Sequence, residues 1–184
     1  MSIVADSTAT TLIPTGTWEI DPAWSSLEFE VKKLGLMTIK GRVPGFGGTI
    51  VGGEHPAIAG RVDASSITTF DEMRDGHLQS PDFFDTERFP ELRFESTAMH
   101  GTGDRLVVEG DLTIKGITKH VELEGRYVGA GIDAYGNERI GVELAGTVDR
   151  NDFGLSWNAP LPGGGFLLPD AVVLKASFVA VRAA

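Results

Sequence analysis

The 184-residue chain has no cysteine, four histidines and a formal net charge of −10. Disulfides, thiolate chemistry, iron–sulfur clusters and cysteine-held zinc are excluded, and the acidic balance opposes binding to a nucleic-acid backbone. The length suits one domain able to bury its own core, and no apolar run is long enough to span a bilayer.

Residues 1–16, MSIVADSTATTLIPTG, have neither a basic start nor a continuous apolar core, so they do not read as a secretion signal. They are expected to form a flexible arm before a domain spanning residues 17–184, in a cytoplasmic protein. Two strands follow, Thr17–Asp21 and Ser26–Lys33. In the second, Leu27, Phe29 and Val31 alternate with Glu28, Glu30 and Lys32, the period of a strand with one buried face. Met37–Arg42 continues as strand, and VPGFGG at 43–48 reads as a corner. Short strands at Thr49–Val51 and Ala57–Ala64 flank the turn GGEHP.

Phe70–Ser96 breaks the alternation. Asp71 is a plausible helix cap, Glu72–Gln79 carries good helix formers, and Ser80-Pro81 ends the turn. Asp82–Asp85 reads as a second short turn, and Pro90 hands over to a strand at Glu91–Met99.

Four further strands are plainer. Their apolar faces are Leu106–Ile114, Val121–Tyr127, Ile140–Val148 and Val172–Ala180, joined by turn-like links at 101, 115 and 129. Short links favour an antiparallel meander, and about eight such strands close into a barrel without exposed edges. The fold class is therefore all-β, an antiparallel barrel with one short helix. Each late apolar row carries a small residue near its middle, Gly110, Gly125, Gly146 or Ala176. Either these leave a dry cavity, or they only allow strong strand coiling.

The candidate chemistry is sparse. Arg74 and His77 share a helix face and suit either a headgroup grip or a bracing network, whereas Asp75 reads as bracing. Asp82 reads as a cap, and Phe83, Phe84 and Phe89 as core or entrance lining. Arg150 suits an ion pair with Asp152 or another acid better than anion binding. Pro162–Gly165 lacks the lysine and helix of a phosphate cradle. Ser80 beside His77 and Asp75 is a weak catalytic signal, because neighbours on one helix rarely align as nucleophile, base and orienting acid. Lone histidines make a weak metal site, so no metal and no cofactor is expected.

The segments WEIDPAWSSLEFEVKKLG, VDASSITTFDEMRDGHLQSPDFFDTERFPELRFEST, GDLTIKGITKHVELEG and VDRNDFGLSWN, in this order, resemble the YceI-like family of polyisoprenoid-binding proteins. The likeness runs from about Trp18 to Val181. It implies a lipocalin-like antiparallel barrel, eight-stranded, with a helix packed at one end. It also implies a long isoprenoid lipid inside and a tendency to dimerise. The matching family positions are Arg74, Asp75, His77, Leu78, Asp82, Phe83, Phe84, Arg150, Asp152, Phe153 and Gly154. One departure is Trp24, where the family pattern usually has histidine.

The expected function is binding of a polyprenyl phosphate or isoprenoid quinone for carriage, storage or sequestration, without catalysis. The expected ligand-contacting residues are Trp24, Phe29, Arg42, Arg74, His77, Leu78, Phe83, Phe84, Gly110, Gly125, Gly146, Phe153, Trp157 and Phe178. An enzyme using His77 as acid or base is the alternative from another class. A stress-response module capturing varied apolar compounds, antibiotics included, is a third reading. Arginines converging on the cavity mouth would favour a phosphorylated lipid, and an uncharged tunnel a quinone or a promiscuous binder.

Overall fold

The alternation over Ser26–Lys33 sets the plan of the wall: Leu27, Phe29 and Val31 line the interior of the barrel. The computed structural model describes residues 12–184. Its strands are β1 (Gly16–Ile20), β2 (Ser26–Lys33), β3 (Met37–Arg42), β4 (Phe46–Gly52), β5 (Ala57–Asp63), β6 (Glu91–Thr102), β7 (Arg105–Ile114), β8 (Ile117–Ile132), β9 (Glu138–Asp149) and β10 (Ala171–Arg182). One helix, α1 (Glu72–Gln79), lies between β5 and β6. All pairings are antiparallel, and the order β1-β4-β5-β6-β7-β8-β9-β10 closes through β1–β10 into an eight-stranded barrel. β2 and β3 prolong the wall beyond that ring.

β10 is the spine of this arrangement. Its C-terminal half pairs with β1 through Ala180–Arg182, and its N-terminal half pairs with β2 through Val173–Ser177. Between them the chain leaves the sheet for the turn Pro22–Trp24, capped by Asp21. Ser25 restores the missing ladder bonds with its side chain: Oγ donates to the Val179 carbonyl (3.2 Å) and accepts from the Val179 N–H (2.9 Å). β3 and β4 are likewise one course of wall interrupted at Val43–Gly45. Below that interruption, the outer edge of β3 has a single backbone partner among the described residues, the Arg42–Thr68 pair, at 2.8 and 2.9 Å.

Two apolar clusters divide the interior. One is built from Ile13, Trp18, Ile50, Ile58, Leu106, Val108, Ile140 and Val142 with their neighbours, and it plugs one end. The other joins Phe83, Ile114, Phe153 and Leu155 beneath α1 and the segment after it. No helix among the described residues is long and apolar enough to cross a membrane.

Three boundaries differ from the sequence expectation. The corner at 43–48 is shorter, because Phe46–Gly48 already pair with Gly60–Val62. The link after β7 is only Lys115-Gly116, both at positive φ (52° and 75°), the geometry of a tight hairpin turn. β8 then runs unbroken to Ile132, well into the stretch expected as a link. Of the arm expected over 1–16, residues 1–11 lie outside the described residues. Ile13 is packed into the plug, and the Pro14 carbonyl accepts from Trp18 Nε1 at 3.0 Å.

Candidate functional site

Between the two clusters lies a cavity of about 680 Å³. Ile20, Ile58 and Leu144 of the plug form its floor, and Ile114, Phe153, Leu155 and Phe83 border it toward the helix. Its walls are alternate side chains of several strands, among them Leu27, Phe29, Phe94, Leu112, Leu174 and Phe178. Such a lining offers almost nothing to hydrogen-bond with and favours apolar matter over water.

The helix is fastened by one carboxylate. Asp75 accepts from Thr68 Oγ1 (2.7 Å), Thr69 N (2.7 Å) and Thr69 Oγ1 (2.6 Å). Burial alone would push its carboxyl up, but the bonds from Thr69 and Thr68 and the adjacent Arg74 charge together hold it below the usual value. Arg74 joins the same knot, with Nε donating to Thr69 Oγ1 (2.7 Å) and Nη2 to the Thr69 carbonyl (2.8 Å). Downstream, Lys115 Nζ donates to the Pro81 carbonyl at 2.8 Å, tying the segment to the β7–β8 turn.

His77 is held edge-on against Phe83 and Trp157, with ring centroids 5.0 and 4.7 Å away, and its Nε2 lies 2.8 Å from Asp82 Oδ2. Ser80 Oγ donates to the His77 backbone carbonyl (2.6 Å) and so ends the helix rather than facing the imidazole. No nucleophile–base line is formed by Asp75, His77 and Ser80. Among the described residues, no group of three or more His, Asp or Glu side chains is placed to hold a metal ion.

Arg150 is 5 % exposed, yet it forms no ion pair with Asp152. Its Nε donates to the Pro169 carbonyl (2.8 Å), and its Nη1 to the carbonyls of Leu155 (2.5 Å) and Trp157 (2.8 Å). Burial lowers its pKa, partly offset by the charges of Asp170 and Asp149. A guanidinium is suited to this task because its fan of fixed donors satisfies several orphan carbonyls of an irregular loop at once.

Of the residues singled out in the sequence, Phe29, Arg74, His77, Leu78, Phe83, Phe84, Phe153, Trp157 and Phe178 border the cavity. Trp24, Arg42, Gly110, Gly125 and Gly146 do not. Trp24 stands outside the barrel under the Arg139 guanidinium (4.2 Å), which also binds Asp21 and Asp133. Arg42 sits on β3 opposite Glu28. The three glycines belong to inward rows, but neighbours already use their space. A Cβ on Gly110 would lie 2.5 Å from Phe94 Cζ, and one on Gly146 would lie 2.6 Å from Leu123 Cδ2. Gly125 faces the backbone of Glu143 and Leu144, so even a methyl group there would collide with main chain. These glycines permit close coiling and do not hollow the interior. The wall is thin elsewhere, at Gly60 and Ala176. Phe46 and Phe94 also line the cavity and were not singled out. Phe94 was legible from its strand period; Phe46 was hidden by the glycines and proline around it.

A closed antiparallel barrel with an apolar hollow and a helix across one end belongs to the lipocalin-like class of architecture. The YceI-like domain profile matches residues 18–180, and the chain belongs to that family. It is 35 % identical over 133 residues to Protein YceI of Escherichia coli O157:H7, covering 70 % of each chain. The crystal structure of Burkholderia cenocepacia BcnA superposes with a TM-score of 0.72 at 21 % identity, covering 88 % of this chain and 99 % of that one. A polyisoprenoid binding domain from Saccharophagus degradans, implicated in plant cell wall breakdown, gives a TM-score of 0.65 at 15 % identity, over 90 % of this chain and 98 % of that one.

Proposed function

We propose that this protein holds a long apolar lipid of the isoprenoid type in its barrel cavity, as a carrier or store rather than as an enzyme. The observation that carries this reading is the apolar hollow of about 680 Å³ reaching from the plug to the helix. Each methylene moved there from water contributes about 0.8 kcal/mol, so a long tail binds tightly without any chemistry. Family membership and the fold shared with a polyisoprenoid binding domain support the same ligand class.

The three arginines expected at a headgroup favour a neutral one such as a quinone over a diphosphate, although Lys33 and Arg61, without an ion pair among the described residues, also border the cavity. Arg42 is away from the cavity, and Arg74 and Arg150, which border it, spend most of their donors on Thr69 and on loop carbonyls. A diphosphate would need those donors to be free and convergent. We further propose a cytoplasmic location and a homodimer, which cell fractionation and analytical sedimentation measure.

Native mass spectrometry of protein from its own host, followed by organic extraction, should release a prenylated species. Ala176→Phe and, on β8, Val121→Phe fill the hollow and should abolish retention while circular dichroism still reports a folded barrel. A folded variant that retains the lipid as well as the parent would overturn the reading.

A further inference from the structure

The inward row of β2 ends on a charge. Leu27, Phe29 and Val31 line the hollow, and Lys33, the next residue on the same face, borders it at the end remote from the plug. Its cross-strand partner is Met37, which is exposed, as is Met73 of α1 nearby on the cavity border. Lys33 is half-buried, whereas Lys32, on the opposite face of the strand, is exposed. A lysine so placed lays its stem along the apolar wall and keeps its ammonium at the mouth.

That ammonium is uncommitted. Lys33 forms no ion pair among the described residues. The other charged side chains around the hollow are engaged or face elsewhere. Arg74 and Arg150 spend most of their donors on Thr69 and on loop carbonyls, and His77 meets Asp82. Arg93 bonds Glu91, and Lys175 bonds Glu30. Asp71 Oδ1 accepts from the Arg74 N–H as the helix cap. Glu28 and Arg61 stand one residue out of phase with the inward rows of Leu27 and Phe29 and of Ile58, Gly60 and Val62.

Polarity therefore runs one way along the cavity. The floor of Ile20, Ile58 and Leu144 offers no side-chain donor or acceptor, so an apolar tail belongs there and a polar end belongs at Lys33. We infer that Lys33 reads the headgroup: its ammonium donates to a carbonyl oxygen at the ring end of a prenylated quinone whose tail points to the plug. This rests on the isoprenoid-cargo reading and adds to it the direction of the ligand and the chemistry of its head. An ammonium only donates, and the carbonyls of an oxidised quinone only accept. A diphosphate carries more negative charge than one ammonium balances, and the Asp71 carboxylate bordering the same mouth opposes the excess.

Displacement of a farnesyl fluorophore from the full chain tests this with three competitors that share one geranyl tail, carried on benzoquinone, on a plain benzene ring or on diphosphate. Lys33→Met keeps the stem and removes the ammonium, and Lys32→Met removes the neighbouring ammonium from the outer face. Lys33→Met should weaken the quinone about tenfold and leave the benzene compound and the melting midpoint unchanged. Lys32→Met should alter neither competitor. Equal weakening of quinone and benzene compound by Lys33→Met, no weakening of the quinone, or tighter binding of the diphosphate than of the quinone to the parent overturns the inference. In each of those cases the tail still binds and the cargo reading stands. A parent that takes up neither the fluorophore nor any competitor sinks the cargo reading, and the role of Lys33 with it.

Discussion

The two ends of the barrel are made from the same alternating strands but are packed to opposite purposes. At one end Trp18, Ile50, Val108, Ile140 and Val142 interdigitate until nothing of their side chains is left exposed beyond a few per cent. At the other end the same wall encloses a hollow, and the covering is not strand but α1, the Phe83–Phe89 segment and the Arg150 loop. The plugged end is held by non-directional packing, and the hollow end by a few polar knots centred on Asp75, Arg150 and Lys115. A wall can be emptied where hydrogen-bonded pins replace the missing core, provided the opposite end supplies enough apolar burial for both.

The contrast can be broken by substitution. The largest effect is expected at the plug. Trp18→Ala, which removes a 2 % exposed indole, should cost about 3–5 kcal/mol in chemical denaturation. Leu174→Ala, on the wall of the hollow, should cost less than about 2 kcal/mol, because little packing is lost beside an existing void. Equal costs would mean the ends are packed alike. Next comes Arg150→Met, which strands three loop carbonyls and should cost about 3 kcal/mol, with the loss showing first as faster hydrogen exchange around Leu155–Trp157.

A pH series sharpens the comparison further. The folded Asp75 carboxyl lies below its ordinary value of 3.8. Its stabilising contribution is therefore complete above that value and fades as pH falls through the lower folded value. Asp75→Asn should destabilise the protein by about 1–2 kcal/mol at neutral pH. The gap from the parent should narrow in acid, as denaturation midpoints collected below pH of about 4 will show. A gap that widens in acid would contradict the assigned direction. Smallest is His77→Ala, since its pairing with Asp82 is solvent-accessible on both sides; about 1 kcal/mol or less is expected.

Much of the wall was legible in the sequence because period-two alternation is a local property. Leu27, Phe29 and Val31, and the rows of the last four strands, face inward as their spacing implies. What escaped was everything set by neighbours distant in sequence. The space at Gly110 is occupied by Phe94 and that at Gly146 by Leu123, partners supplied by adjoining strands. Arg150 looked like half of an ion pair because its sequence neighbours are acidic, yet its partners are carbonyls brought round by the returning loop. Trp24 looked like a ligand contact because of its place in a motif, but the turn it sits on leaves the sheet on the outer side. That Thr17–Asp21 and Ser26–Lys33 would share one neighbour, β10, has no signature in either segment.

The unfinished edge of β3 is the least-fastened line of the wall. Around the rest of the circumference, changing the girth would break ladder bonds in rows, but among the described residues only the Arg42–Thr68 pair ties β3 to the helix segment. Parting the wall there costs two backbone hydrogen bonds, and parting it anywhere else costs a whole ladder.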